Sequence, residues 1–397
     1  MTNENGVAAT ITTPSDGKGA FLYRTNDGTG SINWDGVKLR WNYGTDGLQD
    51  SDTVTVKVFA IEMVYVPEGI LNLNTTASGN MLNEFTNAGI TQITSEAALA
   101  EDAIKWSYDN QYGGQGWSDA LGASYPKGYA AFYCMKYEIS QGQYADFLNM
   151  LTSTQASYRY PNANGSYRHT ISGSHPNYSA SRPDRACNYL SWADGCAYAD
   201  WAGLRPMTEL EFEKACRRNQ SVVTDEFAWG DTTITAATTI SGTEDGTETI
   251  TNLGANACYN WVTFSGGDGV LGPLRCGIFA KAGTNREQAG ASYYGIMELS
   301  GNMWERCVTI ADQDYGGLTT NAGLFNGSHG NGALDASGNA DVSTWPDMYG
   351  LGAGFRGGDW IGGGAALYLS VSDRSFAGST IASRGDTDGW RGVRVAP

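Results

Sequence analysis

Within the stretch Tyr294 to Arg306 the chain sets two carboxylates, Glu298 and Glu305, on either side of Gly301. Glycine permits a tight turn that leaves backbone carbonyls exposed, and oxygen donors so closely spaced suit a hard cation such as calcium. The same residues would also make an ordinary polar turn between two core elements. A second oxygen-rich loop offers the side chains of Asn256 and Asp268 and the carbonyls of Ala257 and Val270. His169 and His175 share a Ser/Asn-rich loop with no carboxylate at matching spacing, so they read as solvated side chains rather than ligands. No Gly-x-Ser-x-Gly elbow supplies a serine nucleophile, and the carboxylates are too numerous to nominate a glycosidase pair.

The elements that must position these groups are unevenly legible. Stretches 20–24, 37–42 and 54–60 alternate apolar with polar residues and read as short strands, with turns at 26–30 and 44–47. A β-region over residues 1–58, packed on the larger domain at 59–397 or left from an upstream sandwich, would open the chain. Helices are expected from Ser140, where Gln143 completes a capping box, through Leu151; from Asn188 to Trp201, stopped by Gly203; and from Thr208, boxed by Glu211, to Arg217 and Arg218. The Thr-rich, acidic segment 232–251 has the composition of a surface loop.

Composition narrows the function. The 397 residues can bury a large core, and 53 glycines and 22 tyrosines favour a loop-rich fold. A net charge of −17 argues against nucleic acid as partner, since phosphate binding needs a basic footprint. No apolar run is long enough for direct membrane insertion, and an exported chain would need an address outside these residues. The seven cysteines, Cys134, Cys187, Cys196, Cys216, Cys258, Cys276 and Cys307, lack any Cys-x-x-Cys spacing, which disfavours a zinc or iron–sulfur site. Cys258 and Cys276 flank a glycine-rich loop and could bridge it.

The stretch Gly295-Ile-Met-Glu-Leu-Ser-Gly-Asn-Met-Trp-Glu305 resembles the signature G-L-x-D-M-x-G-N-V-W-E of the formylglycine-generating enzyme (sulfatase-modifying factor) family. Further blocks occur in that family's order: Met63 to Gly69, Lys136 to Tyr144, Leu204 to Glu213, and Gly354 to Trp360 with Trp390 to Arg394. The resemblance implies an α+β fold of the formylglycine-generating, C-type-lectin-like type with a short N-terminal β-region. It also implies structural calcium at one or two sites: Asn256, Asp268 and the carbonyls of Ala257 and Val270 at one, Glu298, Glu305 and the carbonyls of Gly301 and Met303 at the other. Glu298 departs from the family's Asn or Asp, and Val270 from its aromatic. The family's oxidase uses a cysteine pair after Arg-Gly-Gly-x-Trp to bind copper and engage a substrate thiol. Here residues 361–374 hold no cysteine. The related sulfoxide synthases use histidine-bound iron, and only His169, His175 and His329 occur. The expectation is therefore that the chain is no enzyme.

Attention then moves to the carboxyl-terminal framework of aromatics, glycines and arginines. Interleaved with it lie Asp359, Ile361, Tyr368, Ser370, Ser375, Phe376, Gly378, Ile381, Asp386, Thr387 and Asp388, of mixed chemistry and no periodicity. This arrangement resembles the variable proteins of diversity-generating retroelements, in which such residues form a diversified ligand-binding face; an ordinary closing loop accounts for the pattern equally well. Arg384-Gly-Asp386 spells an adhesion tripeptide of the kind that arises by chance. The leading expectation is an extracellular or cell-surface protein recognising a protein or glycan ligand on another cell or particle. Alternatives are a structural subunit of a surface appendage or phage-like tail, and an oxidase-like enzyme of the family with unrecognised chemistry.

Overall fold

The computed structural model describes residues 2–3, 9–13, 17, 19–26, 32–73, 85, 89–106, 116–217, 222–310, 324–362, 366–379 and 381–396. The chain divides into two compact units between Ile61 and Glu62. In the first, β1 (Ala9–Thr12) pairs antiparallel with β2 (Phe21–Arg24), Thr10 opposite Tyr23. A single turn of 3-10 helix at Tyr43–Asp46 is closed by Gly47 at φ 81°. Stretches 37–42 and 54–60 depart from expectation and form no strand, and Val58 is 79% exposed. Alternation becomes a strand only when a neighbouring edge takes its hydrogen bonds and a core takes its apolar face. Of the turn expected at 26–30, residues 27–30 lie outside the described residues, as does Arg218.

The second unit is mixed α/β with few helices and small sheets. In chain order it contributes β3 (Met63–Val66), β4 (Phe132–Met135), α1 (Gln141–Met150), α2 (Ser153–Arg159), α3 (Trp192–Trp201), β5 (Met207–Thr208), α4 (Glu209–Cys216), β6 (Glu305–Val308), β7 (Ala353–Arg356) and β8 (Val393–Val395). Among the described residues these four α-helices start the same way. Ser140, Thr152, Ser191 and Thr208 each cap the amide of the third helical residue, whose own side chain (Gln143, Gln155, Asp194 or Glu211) returns to the cap amide. Helix α2 escapes sequence periodicity because it is short, although its Thr152 and Gln155 carry the same signal. Helix α3 begins at Trp192 rather than Asn188, because Tyr189 stands at φ 60° and Ser191 makes the cap.

Two small sheets meet over one core. β4 lies between β8 and β3, antiparallel to both, with Phe132 opposite Val395 and Val66. β6 pairs parallel with β5 and antiparallel with β7. Val66, Phe132, Cys134, Met207, Phe212, Leu299, Cys307 and Val393 pack between them. The sheets are stitched by reciprocal backbone bonds between Arg205 and Val393. The segment 232–251, by composition a surface loop, folds instead into a short hairpin with Ile240 and Ile250 buried. Among the described residues no helix is long and apolar enough to cross a membrane.

Helix α3 packs against the Trp390 indole so closely that a Cβ at Gly195 would lie 2.1 Å from a ring carbon. Gly195→Ala is therefore expected to destabilise the protein by about 1–3 kcal/mol through overpacking, although alanine is the better helix former. Urea denaturation checks this; an unchanged or raised midpoint contradicts the packing.

Candidate functional site

A run of buried ion pairs positions the carboxyl-terminal loops. Glu209 and Glu213 stand one turn apart on α4, and the Arg356 guanidinium joins both, at 3.0 and 2.6 Å. Arg374 binds Glu209 at 2.7 Å, while Arg217 binds Glu213 at 2.5 Å and Glu226 at 2.6 Å. Burial works against ionisation of Glu209, but Arg374 and Arg356 outweigh it and hold its carboxyl at about 2. Arg356 ends β7, and the chain turns at once through Gly357 and Gly358, both at positive φ, into the loop bearing Asp359.

That loop meets the start of β6 at an aromatic cluster. The ring centre of Trp304 lies 5.2 Å from Phe376, 5.9 Å from Phe355 and 6.4 Å from Tyr368, and Tyr368 stands edge-on to Phe376 at 5.6 Å. Trp304, Tyr368 and Phe376 are half-buried, so the cluster reaches the surface. Backbone bonds from Trp304 to Thr387 and from Gly389 to Trp304 fix it to the last loop. The Asp359 carboxyl accepts the amides of Ile361 and Gly362 at 2.8 and 2.7 Å and bonds the Trp304 side chain. Burial pushes that carboxyl up to about 6.

The residues nominated from sequence separate into two groups. Tyr368, Phe376, Ile361, Ser375, Gly378, Asp386 and Thr387 are half-buried and Ile381 is 52% exposed, as a contact face needs. Ser370, Asp359 and Asp388 depart from that picture because they are buried. The Ser370 hydroxyl donates to the Glu226 carbonyl, and Asp388 holds the buried Arg306 at 2.8 Å. The residue missed by sequence reasoning is Trp304; its signal was its place beside Glu305 in the quoted signature, where it reads as core. The tripeptide arginine is not free either, since Arg384 binds Asp194 and the carbonyls of Tyr158 and Tyr160.

The two proposed calcium loops differ. At the first, the Asn256 amide is engaged with the backbone of Thr235 and Thr233, and the Ala257 carbonyl accepts from Ala237. Asp268 is paired with Arg185 at 2.9 Å and Arg168 at 3.6 Å, and Glu244 joins the same two arginines. Burial opposes its ionisation, yet Arg168 and Arg185 hold its carboxyl below the usual range. Val270 is exposed. Guanidinium groups stand where a cation would have to bind, so this loop does not fit calcium. At the second, Glu298 and Glu305 are buried, and each keeps one carboxylate oxygen without a partner. Their other oxygens take the Gly277 amide and Arg391. Burial pushes Glu298 up to about 7. Orphaned, buried carboxylate oxygens fit a cation. Among the described residues no three His, Cys, Asp or Glu side chains converge to hold a metal, so further ligands there would have to be carbonyls.

Neither family redox metal finds its ligands. All seven cysteines are free thiols, six of them buried, and no Cys258–Cys276 bridge forms. His169 is buried against Asn188, contrary to its reading as a solvated residue. His175 bonds the Leu151 carbonyl, and His329 accepts the Val395 amide.

Known proteins resemble the chain along the same lines. Residues 111–396 match the sulfatase-modifying factor enzyme 1-like domain. The chain is 30% identical to the formylglycine-generating enzyme of Thermomonospora curvata over 34% of its own length and 36% of that protein. It is 31% identical to the hercynine oxygenase of Mycobacterium tuberculosis over 31% of its length and 21% of that protein. To the formylglycine-generating enzyme of Bos taurus it is 29% identical, over 31% and 27% respectively. It thus spans about a third or less of each relative's length. These names overturn the expectation that the chain is no enzyme. The missing cysteine pair removes one route, and the similar proteins are named for catalysis by more than one.

The contrast between buried and exposed site residues is measurable. Asp388→Asn leaves the buried Arg306 charge uncompensated and is expected to cost about 3–5 kcal/mol, whereas Ile381→Ala should stay within about 0.5 kcal/mol. Thermal or urea unfolding checks both, and equal effects would contradict the placement.

Proposed function

We propose that this chain, which belongs to the family of sulfatase-modifying factor enzyme 1-like domains, is an oxidase-like enzyme of that family that seats its substrate against the Trp304 aromatic cluster. The observation that carries the reading is the reach of the family match, which takes in Trp304, Asp359, Tyr368 and Phe376, with similar proteins named as enzymes. Formylglycine generation and hercynine oxygenation belong to those relatives; what comes to this chain is the oxidative class. The C-type-lectin-like description rests on β3 and β8 flanking β4, which closes the two ends of the unit on each other.

The residues present do not fit the thiolate-bound copper or the histidine-bound iron that the family resemblance implies. What the chain supplies is a proton-transfer group beside an aromatic floor. Asp359, with a carboxyl near 6, is populated in both forms close to neutral pH, the condition for general acid–base work. A second reading uses the same face for ligand recognition, in the setting expected from sequence. It is favoured by the partly exposed Tyr368 and Phe376, which give contact area, with Thr387 to direct it. Structural calcium is proposed for the second loop alone, on Glu298 and Glu305 with carbonyls of Gly301 and Met303.

Oxygen uptake measured with a panel of thiol peptides and small thiols tests the enzyme reading. Turnover is expected, and Asp359→Asn and Trp304→Phe should lower kcat by about 100-fold while melting is unchanged. Panel members that bind without oxygen uptake would sink the enzyme reading and leave recognition.

Calcium has its own signature. The folded Glu298 carboxyl, at about 7 against an ordinary 4.5, keeps a proton that the unfolded chain has released between those values. Stability therefore falls as pH rises through that window, and a bound cation offsets the loss. Calcium should raise the melting temperature more at pH 8 than at pH 5, and Glu298→Gln should abolish the difference. Identical melting in calcium and in chelator at pH 8 would contradict the site.

A further inference from the structure

Three loops bring Tyr167, Trp261 and Trp360 into one aromatic stack. The rings of Trp261 and Trp360 are centred 5.5 Å apart at 40°, and Tyr167 lies 5.3 Å from Trp360 and edge-on to Trp261 at 6.5 Å. Trp360 is buried and Trp261 is 49% exposed, so the stack runs from the core to solvent. Its backbone is held in an unfavourable conformation. Tyr167, Arg168, Tyr189 and Trp261 stand at φ 41°, 65°, 60° and 50°, a region that bulky side chains rarely enter. Such strain persists only where surrounding contacts over-determine it, and it gathers at ligand clamps. The contacts are present: the Trp261 amide donates to the Trp360 carbonyl, the Trp360 indole to the Asp386 carbonyl, and the Tyr189 amide to the Gly385 carbonyl.

Charge completes the patch. Arg168 and Arg185 are taken by Glu244 and Asp268, and Arg384 by Asp194. Among the described residues no hydrogen bond or ion pair engages the half-buried Asp386 carboxylate. It lies near the Tyr189 hydroxyl, whose ionisation is disfavoured first by burial and then by the Asp386 charge. The Asp386 backbone is tied to the Trp360 indole, which stacks on the half-exposed Trp261, so an unpaired carboxylate and a phenol stand on the loops around this stack, on a chain of net charge −17.

We infer that this patch binds a cationic side chain, lysine or arginine, of a peptide partner, the charged head lying on Trp261 and donating to Asp386. Indole is the strongest of the aromatic cation acceptors, and a carboxylate beside it supplies the directed hydrogen bond. A neutral sugar would also stack on Trp261, but it would leave Asp386 without a counter-charge. The inference concerns binding and stands apart from turnover at Trp304.

Calorimetric titration of the whole chain with an acetylated tri-arginine amide tests it, with maltotriose and a tri-glutamate peptide as the other probes. Saturable binding of tri-arginine alone is expected, weakening with salt. Trp261→Ala and Asp386→Asn should each weaken it about tenfold with melting unchanged. Asp245→Asn, an exposed carboxylate on another loop, should leave it unaltered and so separates the site from general attraction to an acidic protein. Absent binding, equal weakening by Asp245→Asn, full affinity in both site variants, or maltotriose binding instead would each overturn the proposal.

Discussion

Arg356 is the point on which the arrangement depends. A guanidinium buried among apolar neighbours is tolerable only when its charge is matched, and Glu209 and Glu213 match it from successive turns of α4. Because those carboxylates also hold Arg374 and Arg217, helix, strand β7 and the chain around 374 are joined through shared charges. A buried pair adds little net stability over an apolar replacement, but breaking one leaves a charge with no water to go to. What the run of pairs supplies is position. It fixes where β7 ends, and with it where the glycine turn delivers Asp359 under Trp304.

Two other regions show the same use of charge with different outcomes. Around Asp268 the arginines come from the chain itself, and the loop is neutralised internally where the family resemblance led one to expect calcium. Around Arg391 the balance is unequal. Glu138, Glu298 and Glu305 gather around Arg391, with Arg275 also acting on Glu298; burial pushes each carboxyl up, and two oxygens stay orphaned. One loop has its carboxylate matched by arginine and the other leaves carboxylate oxygens unmatched, a difference that arises from which side chains sit nearby rather than from the loops themselves.

Much of this was legible in the sequence where the signal was local. The capping boxes at Ser140 and Thr208 set helix starts within a residue. Family membership was carried by short blocks whose order survives low overall identity. What could not be read depended on distant partners. Arg168 and Glu244 are far apart in the chain, so nothing near Asp268 announced that its charge was already met. Ser370 and Asp388 look like surface residues in a loop, yet each closes a buried bond to a remote segment. The strands expected at 37–42 and 54–60 failed for the converse reason, an alternating pattern with no edge to pair with.

The claim that buried charge positions the site loop is tested most directly by hydrogen exchange in Arg356→Met. The account predicts that amides of β7 and of the 357–362 turn lose protection by at least about 100-fold, since removing the guanidinium that bridges Glu209 and Glu213 leaves buried negative charge under-compensated, at a cost of about 3 kcal/mol or more. Exchange in β3 and β4 should change less. Unaltered protection in the 357–362 turn would show that the apolar core alone holds the loop, and would contradict the account.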